Sequence, residues 1–171
     1  MDIHIRMATI DDAELLSDLS RRTFYEAFHE QNTKENMAEF LSINFTLEGT
    51  MDELENGMNT FYLAYYRGEV SGYINLRVCD KLDKYPEVDP ILLSRIYVLD
   101  KFIGKGIGKA LMQQCIKVAW DRNKDVICLG VWEHNPRAIN FYTSWGFEKI
   151  DEEVFVLGSD IQTDWVMLKR L

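Results

Sequence analysis

The sequence predicts a mixed α+β fold, a mostly antiparallel sheet with one parallel β-α-β unit at its centre. Three observations predict it. After an opening strand the apolar period is helical up to about Asn56 and alternating from Thr60, so helices precede a hairpin. A buried strand, a glycine-rich turn, an amphipathic helix and another buried strand follow one another over residues 91–131, which implies a parallel pairing. Residues 147–157 and 161–168 then read as a closing antiparallel pair. With 171 residues and no repeat, low-complexity tract or linker, a single domain over 1–171 is expected.

Each element has a local reason. Ile3 to Ala8 alternates apolar and polar residues like a half-buried strand. Thr9 with Asp11, Asp12 and Glu14 marks a helix start, its acids near the positive end of the dipole. Leu15, Leu16, Leu19, Thr23, Phe24, Ala27 and Phe28 continue at helical spacing. A second start at Asn32-Thr33 leads into Met37, Phe40, Leu41 and Ile43, and Leu47, Met51 and Leu54 form a short third piece. Phe61–Tyr66 and Val70–Val78 flank Arg67-Gly68-Glu69 as a hairpin. Asp80 to Pro90 holds two of the three prolines and reads as a loop. Ile91 to Leu99 and Val126 to Val131 are buried strands, separated by a helix with the stripe Ile107, Ala110, Leu111, Cys115, Val118 and Ala119. Asn135-Pro136 opens the last helix as N-cap and first residue, and Gly146 closes it.

Composition removes several classes of function. Lys+Arg 19 against Asp+Glu 28 gives −9, which argues against nucleic-acid binding, where affinity comes from cations on phosphates. It suits a cationic partner. Cys79, Cys115 and Cys128 are odd in number and form no C-x-x-C pair, so neither a disulfide framework nor a zinc site is expected. His4, His29 and His134 are far apart, and no metal is expected. No apolar run approaches the roughly 18–20 residues of a membrane span, and the N-terminus has no signal-like apolar core. A cytoplasmic protein with no membrane partner is the simple expectation.

Gly104, Gly106 and Gly108 alternate between a buried strand and a helix, with Lys101, Lys105 and Lys109 around them. The unpaired N–H groups that open such a helix bind anions, phosphates especially. A P-loop is excluded, because Gly108-Lys109 follows too short a spacing and precedes Ala110. A dinucleotide fingerprint is excluded by Lys109 where a glycine is needed, and one β-α-β unit is too little for a doubly wound domain.

Arg95-Ile96-Tyr97-Val98, the loop Ile103 to Leu111, and Asn135-Pro136-Arg137-Ala138-Ile139-Asn140-Phe141-Tyr142 through Gly146-Phe147 together resemble the GNAT-fold N-acetyltransferases. Thr23 to Phe28, Gln31-Asn32, Glu35-Asn36-Met37 and Leu129-Gly130-Val131-Trp132-Glu133 are similar, more narrowly, to PaiA-type spermidine/spermine acetyltransferases. The resemblance implies the GNAT fold, with an acetyl-CoA cleft where the strand ending at Val98 splays from the strand 126–131. It implies that Ile103, Gly104, Lys105, Gly106, Ile107, Gly108 and Lys109 cradle the pyrophosphate. Ile96, Tyr97 and Val98 would hold the pantetheine arm and polarise the thioester carbonyl, and Asn135 would bind the arm as well as cap its helix. Tyr142 would protonate the departing thiolate, an acid of pKa near 10 serving a thiol near 8.5.

Two residues depart from the family pattern. Ile103 stands where a Gln or Arg usually contacts phosphate, and Ser94 stands where relatives often place a glutamate base. A neutral amine at pH 7.4 costs about 4 kcal/mol from a pKa near 10.4, so another carboxylate or a water chain must take the proton. Glu133 is the candidate. Glu26, Glu30 and Glu35 on the early helices are candidates for holding the charges of a polyamine. Acetylation of a protein, peptide or aminoglycoside amine, and a non-catalytic CoA-binding regulatory module, are the alternatives. A homodimer is a family-level expectation.

Overall fold

The computed structural model describes residues 2–79 and 81–171; Met1 and Asp80, the first residue of the expected loop, lie outside the described residues. β1 (Ile3–Met7), β2 (Asn59–Tyr66), β3 (Glu69–Val78) and β4 (Pro90–Val98) run antiparallel in succession. β5 (Val126–Trp132) joins β4 in parallel, then β7 (Asp160–Arg170) and β6 (Glu148–Leu157) complete one sheet in the order β1-β2-β3-β4-β5-β7-β6. This is the mixed, mostly antiparallel sheet with a central parallel pair that the sequence predicts.

Five α-helices pack on it among the described residues: α1 (Ala13–Phe28), α2 (Lys34–Ile43), α3 (Leu47–Glu55), α4 (Ile107–Asp121) and α5 (Pro136–Ser144). Strand alternation separates the two faces. Ile3 and Ile5 line a groove with Ala110, Gln113 and Gln114 of α4, whereas Arg6 turns to Asp12 at the head of α1. Helix α1 begins at Ala13 rather than just after Thr9. The intervening turn is 3-10, because the Asp12 carboxylate accepts from Thr9 N at 2.8 Å and from both Arg6 nitrogens. Thr33, Thr46 and Asn135 each cap a following helix by accepting a backbone N–H at 3.1 Å. Gly146, at φ +84°, ends α5 as the sequence suggests.

The core between α4 and the centre of the sheet fully buries Ile74, Leu76, Leu111, Cys115 and Ile127. Each such side chain contributes roughly 1.5–3 kcal/mol by leaving water. A second cluster, Phe24, Met37 and Leu157 with Phe28, Phe40 and Phe155, joins α1 and α2 to the β6–β7 hairpin. Polar ties fix that junction. Gln162 Nε2 donates to Asn32 Oδ1 at 2.9 Å, and Ser159 donates to Asn36 Oδ1 from both its N–H (3.2 Å) and its hydroxyl (3.1 Å). Among the described residues, no helix is long and apolar enough to cross a membrane.

Candidate active site

The β4–β5 ladder pairs only Pro90–Leu92 with Val126–Cys128, although β4 runs on to Val98 and β5 to Trp132. Beyond those pairs the strands part. The β3–β4 register jumps from Asn75↔Arg95 to Leu76↔Leu93, so Ser94 is the extra residue of a bulge. A bulge bends its strand and sharpens its twist, which turns Arg95–Val98 away from β5. Alternate backbone N–H groups of that stretch face the gap without a ladder partner.

The loop after β4 lies at one end of this gap. Gly104 and Gly106 have φ of +80° and +84°, a left-handed conformation that costs other residues about 1–2 kcal/mol. Gly106 is the N-cap of α4, and Ala110 N is the first amide to bond back, to Gly106 O at 3.0 Å. The preceding amides of the turn therefore have no acceptor within the helix. They border a cavity of about 250 Å³ lined by Val98, Ile103, Gly104, Gly106, Ile107, Gly108 and Lys109, with Arg137 and Phe141 from α5. A Cβ on Gly108 would meet the Phe141 ring at 3.8 Å. Backbone donors, one lysine and one arginine around an open turn fit a pyrophosphate.

The lysines divide. Lys109 lines this cavity, Lys105 faces the separate groove beside β1, and Lys101 is bonded to Glu69. Arg137 is the residue the sequence reading passed over. It supplies a guanidinium to the cavity where Ile103 offers none, and its place in the first turn of α5, beside Asn135-Pro136, was the available signal.

Tyr142 is 8% exposed, set edge-on against Phe141 and Phe147. Burial raises its hydroxyl above the ordinary phenol pKa, with a smaller contribution from Cys115, so it stays protonated at neutral pH. Tyr97 on β4 is raised as well, by burial first and then by the nearby Tyr73 and Tyr142, with Asp164 among the smaller causes. Tyr97 therefore stands within electrostatic range of both Tyr142 and Asp164.

Asp164 and Glu153 were not singled out from the sequence. They are directly opposite each other on β7 and β6, and Asp164 is opposite Trp132 on β5. Both carboxylates lean over Gly130: a Cβ there would be 2.8 Å from Glu153 Oε1 and 3.7 Å from Asp164 Oδ2. Trp132 meets Phe28 of α1 edge-on at 6.4 Å, so this face turns toward α1 and α2. Asp164 Oδ1 is buried without a hydrogen-bond partner. Its carboxyl is pushed up to about 6, by burial and then by Glu153. The available signal was a single acid inside the strand Gln162-Thr163-Asp164-Trp165-Val166.

The other candidates lie as follows. Glu133 follows the last residue of β5, partly exposed, with its N–H on Thr163 O at 3.0 Å and Oε1 3.6 Å from His134 Nε2. Glu26 has both oxygens engaged, one by Arg22 Nε at 3.1 Å and the other by Asp100 N at 2.9 Å. Glu30 and Glu35 are exposed at the α1–α2 junction. Asn135 caps α5 through its Oδ1.

Splayed parallel strands beside a glycine turn that opens a helix are the arrangement that the resemblance to acetyl-CoA-dependent transferases implies. The sequence matches the Acetyltransferase (GNAT) family over residues 14–147, and the chain belongs to that family. It is 39% identical over 155 residues to an uncharacterized N-acetyltransferase of Lactobacillus delbrueckii subsp. lactis, covering 90% of this chain and 88% of the relative. It is 25% identical over 150 residues to a spermine/spermidine N(1)-acetyltransferase of Bacillus subtilis, covering 81% and 95%. A crystal structure of a PaiA N-acetyltransferase from Thermoplasma acidophilum in complex with coenzyme A superposes with a TM-score of 0.82 at 22% identity, over 100% of both chains. The protein is thus an acetyl-CoA-dependent N-acetyltransferase.

Proposed function

We propose that the acceptor is a primary amine of a small polycation, a polyamine such as spermidine or spermine, acetylated by direct attack in a ternary complex. The observation that carries this reading is the carboxylate pair Glu153–Asp164, set with Trp132 on the α1 side of the gap. An ammonium is attracted by both carboxylates and by the indole face. Glu30 and Glu35 on the rim suit the distal charges of an extended polyamine. Glu26, held by Arg22 and Asp100 N, would add only its net charge.

On the cofactor side, the amides of Gly104 to Lys109 with Lys109 and Arg137 would hold the pyrophosphate, and Asn135 the arm. Free N–H groups of Ile96 to Val98 would polarise the thioester carbonyl, a kind of donor whose removal elsewhere costs about 3–4 kcal/mol. The amine lone pair attacks that carbonyl carbon, the C–S bond breaks, and Tyr142 gives its proton to sulfur. Burial that raises the phenol also raises a thiolate formed beside it, which keeps the transfer near balance. A cytoplasmic site of action suits Cys115 and Cys128, buried as thiols. A homodimer would find its apolar surface on exposed Val154, Val156 and Ile161 of the β6–β7 hairpin.

The test is amine-dependent release of CoA thiol with spermidine, spermine, kanamycin and a lysine peptide, against an enzyme-only blank for the native thiols. Saturable turnover with the two polyamines alone is the expected result. Turnover confined to kanamycin or the peptide sinks the polyamine reading, and binding of acetyl-CoA with no turnover at all leaves a CoA-responsive regulator.

A further inference from the structure

We infer that Asp164 is the general base of this acetyltransferase, taking the proton from the acceptor ammonium, with Glu153 holding that ammonium over Gly130. The inference rests on the reading of the gap as an amine-acetylating centre, but not on the amine being a polyamine. Family position offers no base here, since Ser94 is a bulge residue that cannot accept a proton unaided. Glu133 lies past the end of β5 in the turn before α5, partly exposed, with its carboxylate 3.6 Å from His134 Nε2.

Asp164 meets the geometric needs of a base. It sits across the ladder from Trp132, at the end of β5 where the strand has left β4. Its Oδ1 is a buried acceptor with no internal donor, a state that costs free energy in any protein and is relieved by an incoming N–H. Gly130 leaves room, because a Cβ there would come within 2.8 Å of Glu153 Oε1 and displace that carboxylate. The titratable groups that face Asp164 are Glu153 from β6 and Tyr97 from β4; β5 presents Gly130 and Trp132, and α1 presents Phe28 to that indole. Tyr97 is within electrostatic range of both Asp164 and Tyr142, so base and acid share one tyrosine of the gap as a neighbour.

The raised basicity matters for the chemistry. A carboxylate of pKa about 6 is a stronger base toward an ammonium near 10.4 than an ordinary one near 4, by about two pKa units. The balance is complete without a further reactant. The nitrogen loses two protons. The first passes to Asp164 and on to water, freeing the lone pair that forms the C–N bond. The second leaves as the tetrahedral species collapses and replaces the proton that Tyr142 has given to sulfur.

The experiment compares wild type, Asp164→Asn, Glu153→Gln and Glu133→Gln on whichever amine of spermidine, spermine, kanamycin and a lysine peptide the wild type acetylates fastest. A 13C-carboxyl NMR titration of the wild-type aspartates runs beside it and needs no acceptor. Asp164→Asn is expected to lower kcat at least 100-fold with acetyl-CoA affinity unchanged, and to abolish the rise of kcat/KM with pH near 6. Glu153→Gln raises the amine KM several-fold with a smaller loss of kcat, and Glu133→Gln stays within about twofold of wild type. Full activity in Asp164→Asn, a large loss in Glu133→Gln, or an Asp164 that titrates near 4 overturns the proposal. Failure of the polyamines with success of another amine overturns only the acceptor class. If no amine is turned over, the NMR titration decides: an Asp164 resonance that titrates near 6 and moves on adding spermidine supports the site, and one that does neither removes it.

Discussion

The glycine loop ahead of α4 and the carboxylate face of β6 and β7 flank the same gap, yet the first is made of backbone and the second of side chains. The loop occupies one short stretch, Ile103 to Lys109, whose donors are main-chain amides and whose shape comes from two left-handed glycines. The face is assembled from Gly130, Glu153 and Asp164 on three strands, each supplying one feature that means little alone. A backbone site tolerates changes of side chain but not of conformation. A side-chain site tolerates the reverse. Substitutions on the two sides should therefore fail in different kinetic constants.

The largest effect is expected where the two regions meet. Tyr142→Phe removes the proposed proton donor and keeps the buried ring against Phe141 and Phe147, so kcat should drop about 10²–10³-fold with acetyl-CoA affinity unchanged. Stopped-time CoA release together with cofactor titration measures both. An unchanged kcat would mean that sulfur leaves as thiolate without an acid, and the gap would then have no chemical centre at this tyrosine.

On the backbone side, Gly106→Ala is expected to weaken acetyl-CoA about tenfold and leave the amine KM alone. The added Cβ meets nothing nearer than Ile3 Cδ1 at 3.8 Å, so the penalty is conformational, the cost of φ +84° for a residue with a side chain. Isothermal titration with CoA reads it. A change in amine KM instead would erase the division between the two sides. Arg137→Ala is a milder probe of the same cavity. Its exposed guanidinium contributes about 0.5–1 kcal/mol, a loss of roughly two- to fivefold that shrinks at high salt.

The same contrast explains what was legible in the sequence. Element order, the parallel crossover and the glycine turn were legible because each is written in neighbouring residues: a period, an Asn-Pro start, alternating glycines. Tyr142 drew attention through its spacing to Gly146-Phe147 in a family pattern, and its role as acid is what Tyr142→Phe tests. The Glu153–Asp164 pair was not, since it depends on the register of β6, β7 and β5, and that register includes a shift between Lys149 and Asp151. Nor could local reading tell that Glu26 would be drawn to Asp100 N, or that Lys101 would turn to Glu69; both are contacts between distant segments.

The smallest expected effect compares two carboxylates that are shifted in opposite directions. Asp12 is held at about 2 by the Arg6 guanidinium, whose nitrogens lie at 2.7 and 2.8 Å, and by Thr9 N. The folded protein therefore holds fewer protons there than the unfolded chain between about pH 4 and 2. Its stabilisation is complete above that window and is lost as pH falls through it, on the order of 1–2 kcal/mol after allowing for the partly exposed arginine. Asp164 does the opposite. Its folded pKa is about 6, above the unfolded value of 3.8, so the folded state holds more protons between the two, and stability declines as pH rises through that window. Thermal melts from pH 2 to 8 separate the two residues. Asp12→Asn should flatten only the acid limb below pH 4. Asp164→Asn should remove only the decline between about pH 4 and 6, leaving a variant that melts slightly higher at neutral pH while it has lost its turnover. A rise in melting temperature with loss of activity is the expected signature of a side-chain site kept under electrostatic strain for its chemistry. The backbone loop stores no such strain in charge, so Gly106→Ala should lower the melting temperature by the same few degrees at every pH.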